Sequence, residues 1–216
     1  MAEKMRENIS AMLKGIDRYN PNNLACLENY VKAQVKENVY DLEANLAVLK
    51  LYQFNPNFFQ EQIAVYILIK ALTNMPNTDF ILCKCLIDPS YLETEIIKKI
   101  TDIHQLLETC QFREFWNEVA KTPELFNDIN GFHDSIRKYI SYVVNITYQR
   151  IERSFLKEIL GNLGEAELNR WMSLNGWRED DYDFVFIANQ EENIKTKNIT
   201  EKIDFESVAP VLATYR

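Results

Sequence analysis

Asp183-Phe184-Val185-Phe186-Ile187-Ala188 is the one stretch of the 216-residue chain that reads convincingly as a β-strand. Its aromatic and β-branched residues fit a pleated, half-buried surface. An acidic loop precedes it and a polar turn at Asn189 to Asn193 follows. Ahead of the strand, Ile136, Ile140, Val143, Val144 and Ile151 recur at helical spacing and predict a helix extending to about Arg150. Phe155, Leu156, Ile159 and Leu160 predict a shorter helix, ended by Gly161. Glu165 to Asn175 predicts a third, with Leu168, Trp171 and Met172 inward and Gly176 as its C-terminal stop. Three helices, a strand, a turn and an extended segment, in that order, follow the plan of a winged helix.

Alternation along the strand leaves two registers open. If Phe184 and Phe186 fill the core, Val185 and Ile187 lie on the other face, and in the other register the reverse holds. Either way apolar groups stand on both faces, which suggests a covering element or a partner. The tail from Ile203 through Phe205, Val208, Val211 and Leu212 is a candidate cover, as a final helix started at Asp204.

Upstream of Asn130-Gly131 the pattern is helical throughout. Met5, Ile9, Met12, Leu13 and Ile16 mark one face of a first helix, which stops near Gly15. Asn20-Pro21 starts a second, carrying Leu24, Leu27, Val31 and Val35, because proline lacks an N–H that the first helical turn would leave unpaired. Leu42, Leu46, Leu49 and Tyr52 mark a third, and Asn55-Pro56 leads into Phe59, Ile63, Tyr66, Ile67 and Ala71. Thr78 and Asp79 cap a short helix through Leu86. Ser90-Tyr91-Leu92-Glu93 fits a capping box opening a helix through Ile96, Ile97, Ile100, Ile103, Leu106 and Leu107. A further helix holds Phe112, Phe115, Trp116 and Val119, and Thr122-Pro123 starts a last short piece. Short connections make antiparallel hairpins, and no strict repeat runs through them, so a degenerate HEAT-like stack is expected. The fold class is therefore mainly α: a HEAT-like helical repeat domain over 1–128, a winged-helix domain over 129–202, and a tail over 203–216 that reads as helical.

Composition agrees. Five Gly and six Pro leave little room for the many tight turns of an all-β protein. The net charge of −8 opposes nucleic-acid binding through bulk charge. From Gly131 onward, 11 Lys and Arg face 14 Asp and Glu. The third helix of the winged-helix pattern shows Glu165, Glu167 and Arg170, and only Lys195, Lys197 and Lys202 form a local basic cluster. Docking to protein rather than DNA is the better reading. The N-terminus has no apolar signal-like core, and no run approaches the roughly 18 apolar residues of a membrane span. A cytoplasmic setting with reduced thiols follows, and the sequons at Asn8, Asn145 and Asn198 are chance matches.

Residues with reactive side chains do not assemble into a reaction. Cys83 and Cys85 project roughly 200° apart on a helix and cannot grip one metal ion, so one is expected buried and one near the surface. Cys26 and Cys110 read as small core residues, His104 as a surface side chain, and His133 as a packing or hinge residue at the junction. The acidic run 179–183 lacks the glycine and twelfth-position glutamate of a calcium loop, and no glycine-rich phosphate cradle occurs. No enzyme, cofactor or metal site is expected.

Longer segments are more specific than these motifs. LKGIDRYNP (13–21), ENVYDLEANLAVLKLYQFNP (37–56), KALTNMPNTDFILCKCLID (70–88), QLLETCQF (105–112) and EENIKTKNITEKIDFESV (191–208) closely resemble the subunit K family of eukaryotic translation initiation factor 3. The resemblance implies a helical repeat domain followed by a winged helix, related to the PCI modules of proteasome-lid and signalosome subunits. It implies a non-catalytic scaffold subunit in a complex that binds the small ribosomal subunit and promotes recruitment of mRNA and initiator methionyl-tRNA. It further implies pairing with subunit L, a cytoplasmic location with some nuclear presence allowed, and no DNA or membrane partner. Such subunits join through their winged helices and C-terminal helices. Contacts are therefore expected around 184–198 and 204–212, with Val185, Ile187, Lys195, Lys197, Phe205, Val208 and Leu212 as partner-binding residues. The alternatives are a scaffold of another PCI-type complex and an RNA-binding adaptor working through Lys195 and Lys197.

Overall fold

The structure, a computed structural model, describes residues 2–180, 182–190, 208–209 and 212–213. It is mainly α. Helices α1 (Ala2–Met12), α2 (Leu24–Glu37), α3 (Leu42–Phe54), α4 (Glu61–Leu72), α5 (Asp79–Cys85), α6 (Pro89–Leu92), α7 (Glu95–Glu108) and α8 (Phe112–Lys121) succeed one another. They are followed by α9 (Phe132–Thr147), strand β1 (Arg150–Glu152), α10 (Arg153–Ile159), α11 (Glu165–Asn175), β2 (Arg178–Asp180) and β3 (Phe184–Phe186).

Helix α4 lies at the centre of the first part. Ile63, Ala64, Val65, Ile67, Leu68, Ile69, Ala71 and Leu72 are all buried, so it is apolar nearly all round, as a helix enclosed by others must be. It packs against α2, α5 and α7. Around it, buried polar groups pair with one another. Gln34 donates to Asn45 Oδ1 at 2.9 Å and accepts the Asp41 amide at 2.9 Å, joining α2 to the start of α3. Asp41 caps α3 by accepting the Ala44 amide and also receives the Tyr30 hydroxyl at 3.1 Å. The buried Glu28 carboxylate receives the Tyr52 hydroxyl at 2.7 Å and the Gln60 amide at 2.8 Å. Each buried acceptor thus recovers the hydrogen bonds it loses from water.

Several local expectations are corrected. Both Asn-Pro pairs open 3₁₀ turns, Pro21–Asn23 and Pro56–Phe58, rather than the α-helices themselves. Ile16 lies in the 3₁₀ turn Gly15–Tyr19 and points into solvent, because α1 has already ended at Met12. Ser90 does not cap α7. Asp88 caps the short α6, accepting the Ser90 amide at 2.9 Å and its hydroxyl at 2.6 Å, and α7 begins only after Thr94. Cys110 is exposed with φ +57 at the turn after α7, not a core residue, whereas Cys26 packs against the core and Cys83 is buried with Cys85 exposed.

The largest correction concerns Ile151. It continues the helical spacing of α9, yet α9 ends at Thr147 and Ile151 is the centre of β1, opposite Val185. The order β1-β3-β2 makes a three-stranded antiparallel sheet where one strand was expected. Cross-strand burial of Ile151 against Val185 outweighs one more turn of helix.

The second part seats directly on the first. Trp116 of α8 donates its indole N–H to the Ile159 carbonyl at 2.8 Å and stacks on His133 at 5.8 Å between centroids. Phe126 stacks on Phe132 at 4.5 Å, and Asn130 donates its amide to the Val35 carbonyl and its side chain to the Lys36 carbonyl.

Candidate protein-interaction face

The sheet decides the register that the sequence left open. Val185 is fully buried and Ile187 nearly so, packed with Ile151, Leu156, Leu168, Met172 and Trp177. Trp177 fixes this layer by donating its indole N–H to Asn145 Oδ1 at 2.6 Å. Phe184 and Phe186 therefore point away from the helices, 39% and 36% exposed. Val185 and Ile187, expected to carry partner contacts, are buried in the chain's own core, and Phe184 and Phe186 stand on the outer face instead.

Pairing sets what surrounds each ring. Arg150 and Arg178 stand opposite Phe186 on either side, and Glu152 and Asp180 stand opposite Phe184. The Arg150 guanidinium lies 5.4 Å from the Phe184 ring centroid and its Nε reaches Asp180 Oδ2 at 2.6 Å. The outer face is thus two aromatic rings crossed by one basic and one acidic row. Beside it Tyr182, with φ +63, is 91% exposed at the tip of the β2–β3 turn. Aromatic rings edged by arginine are the groups most often found at the energetic centre of protein interfaces.

Arg153 holds this sheet to α11. Its guanidinium donates to Glu165 Oε2 at 3.0 Å, Glu179 Oε1 at 2.5 Å and Asn169 Oδ1 at 2.7 Å, and its amide donates to the Asp183 carbonyl at 3.0 Å. Glu165 also receives Lys157 at 2.9 Å, and these two cations hold its carboxyl below the usual range, Lys157 contributing most. The sequence showed Glu165 and Glu179 only as surface charges. Their convergence on one arginine depends on the β1–α10 corner, which no local pattern announces.

Of the remaining expected contact residues, Lys195, Lys197 and Phe205 lie outside the described residues. Val208 is half-buried and Leu212 exposed, both in helical conformation. His104 is a correction: it is buried, stacked 3.9 Å from the Phe80 ring centroid, and burial pushes its pKa down. Its position, four residues after Ile100 and seven after Ile97, falls on the buried stripe of α7. Among the described residues no group of three or more His, Cys, Asp or Glu could hold a metal ion, and no helix is long and apolar enough to cross a membrane.

Residues 59–198 match the model of the CSN8/PSMD8/EIF3K family. The chain is 56% identical to eukaryotic translation initiation factor 3 subunit K of Xenopus tropicalis, over 98% of this chain and 97% of that protein. It is 56% identical to the Homo sapiens protein of that name, over 99% and 98%. A Nematostella vectensis protein of the same name is 51% identical over the full length of both. Identity of this level along the whole length, inside a matching family model, places the chain in the family of eukaryotic translation initiation factor 3 subunit K.

Proposed function

We propose that this chain is a non-catalytic subunit of eukaryotic translation initiation factor 3, supporting initiation of protein synthesis through contacts with other proteins. The observation that carries the reading is full-length identity of 51–56% to proteins bearing that name. Residues 1–128 serve as a HEAT-like stack and 129–202 as a winged helix of the PCI type. The acidic balance of the second part turns this winged helix from DNA towards protein. The outward Phe184 and Phe186, with Arg150 and Arg178 beside them, supply a docking face; the tail around Val208 and Leu212 supplies a second contact. Subunit L is the direct neighbour, the small ribosomal subunit is reached through the assembled factor, and the protein works in the cytoplasm.

Affinity purification of the tagged chain from cells, read by mass spectrometry, tests this. Initiation-factor subunits, with subunit L the most enriched, are the expected result. Recovery of proteasome-lid or signalosome subunits without them overturns the reading.

A further inference from the structure

A second surface, remote in sequence from the sheet, has the build of a docking groove. Helix α4 contributes Gln62 and Tyr66, the start of α7 contributes Glu95, Ile96 and Lys99, and the segment after α8 contributes Thr122, Glu124, Leu125 and Asp128. Together they enclose a groove of about 340 Å³. Its apolar lining is Tyr66, Ile96 and Leu125, and Ile96 is 39% exposed where a residue on this amphipathic helix could have been polar without loss to the core. Glu95, Glu124 and Asp128 line it with no cationic partner in ion-pair distance among the described residues. At Glu95 and Lys99 it merges with a shallower trough along α7 that adds Lys98, Asp102 and Glu118. Carboxylates outnumber ammonium groups across the two, five against two.

We propose that this groove docks a short lysine- or arginine-rich amphipathic helix of a partner protein, an apolar anchor seated on Tyr66, Ile96 and Leu125. The walls are helices and the 3₁₀ turn Pro123–Leu125 and offer no free strand edge, so an extended peptide would find no strand to pair with, whereas a helix needs only side-chain contacts. From Glu95 to Thr109 the trough follows α7 for about 20 Å, the length of a helix of about 14 residues. Unpaired carboxylates favour basic flanks and repel phosphate, which excludes RNA as the occupant. A second copy of the chain, with its net charge of −8, brings the wrong sign. The groove is independent of the translation reading, since it rests on residues away from the sheet.

The test uses the full chain and fluorescein-labelled peptides of about 15 residues, long enough for four helical turns. One carries Leu on one helical face and Lys on the other, one has Glu for Lys, and one scrambles the Lys peptide. Anisotropy titration is expected to show saturable binding of the amphipathic Lys peptide alone. The uncharged change Ile96→Ser and the double reversal Glu124→Lys/Asp128→Lys each weaken it on the order of tenfold. The remote reversal Glu7→Lys/Glu167→Lys, of equal charge change at two exposed sites, leaves it intact. All positions lie at the surface, so thermal unfolding should show each variant folded. Equal weakening by both double reversals with no effect of Ile96→Ser means bulk charge attraction and overturns the proposal. So does equal binding of the scrambled peptide, absence of saturable binding, or amide shift changes on the sheet instead of around 62–66, 95–109 and 122–128.

Discussion

Lys70 sits in the middle of α4, 1% exposed, with Asn38 Oδ1 at 3.1 Å as its hydrogen-bond acceptor and no carboxylate in ion-pair distance among the described residues. Burial lowers its pKa to about 8. In the unfolded chain the amine titrates near 10.4, so between about pH 8 and 10 the unfolded state binds more protons and stability rises with pH. Replacing Lys70 by Met removes the desolvation penalty and keeps the volume. The variant should gain roughly 1–2 kcal/mol over the parent at pH 7, and the gap should narrow by about as much at pH 9.5. Cys83, pushed up to about 12 by burial, acts in the opposite sense over this window but cancels in the comparison. Urea titrations of both proteins at the two pH values decide it; a gap that widens with pH excludes a strained ammonium. Nothing in the sequence marks Lys70, because its neighbours Ile69 and Ala71 read equally well on either side of a helix and only the surrounding helices bury it.

At the level of elements, local chemistry made helices legible and left strands obscure. Glu165–Asn175 was readable to the residue because Gly176 adopts φ +71 and closes the helix, a conformation glycine takes without strain. β1 and β2 were hidden: Arg150–Glu152 and Arg178–Asp180 each span three residues and bury little beyond Ile151 of β1, too short for a period-2 pattern. Phe184–Phe186 was readable as a strand, yet its facing was not, since both faces are apolar and only pairing against Ile151 decides which one is inward. The chosen facing has a measurable consequence. Val185→Ala should lower unfolding free energy by about 2 kcal/mol, as for a fully buried Val, while Phe184→Ala should stay within about 1 kcal/mol despite removing more atoms. Thermal unfolding of the two variants distinguishes the registers, because the opposite order of losses requires the rings to be inside. A second element-level consequence lies at Gly161, which ends α10 with φ +90 and lies so close to Trp116 that an added Cβ would meet its Cε2 at 3.0 Å. Gly161→Ala should destabilise by roughly 1–3 kcal/mol through backbone strain and displacement of the indole, seen as a lower melting temperature and a shift in Trp fluorescence.

Across the whole molecule, the helical stack packs against α9 and α10, the helices that flank β1. Trp116, His133 and Phe126 cross from one to the other, and the Tyr139 hydroxyl of α9 donates to the Leu107 carbonyl at the end of α7. A firmly seated sheet presents Phe184 and Phe186 at a fixed orientation, so a partner meeting them loses little freedom in ordering this side of the contact. If that face joins the assembled factor, Phe184→Ala/Phe186→Ala should reduce recovery of partner subunits in affinity purification by on the order of tenfold, the scale of losing one interfacial hot spot. The melting temperature of the isolated chain should barely change, since both rings are exposed. Ile16→Ser is the matched control, an exposed apolar residue removed away from both the sheet and the groove. Loss of recovery with the phenylalanine variant alone assigns assembly to the sheet face. Undiminished recovery with that variant moves the contact off the sheet, and equal loss with both points to a general decline of the chain in cells.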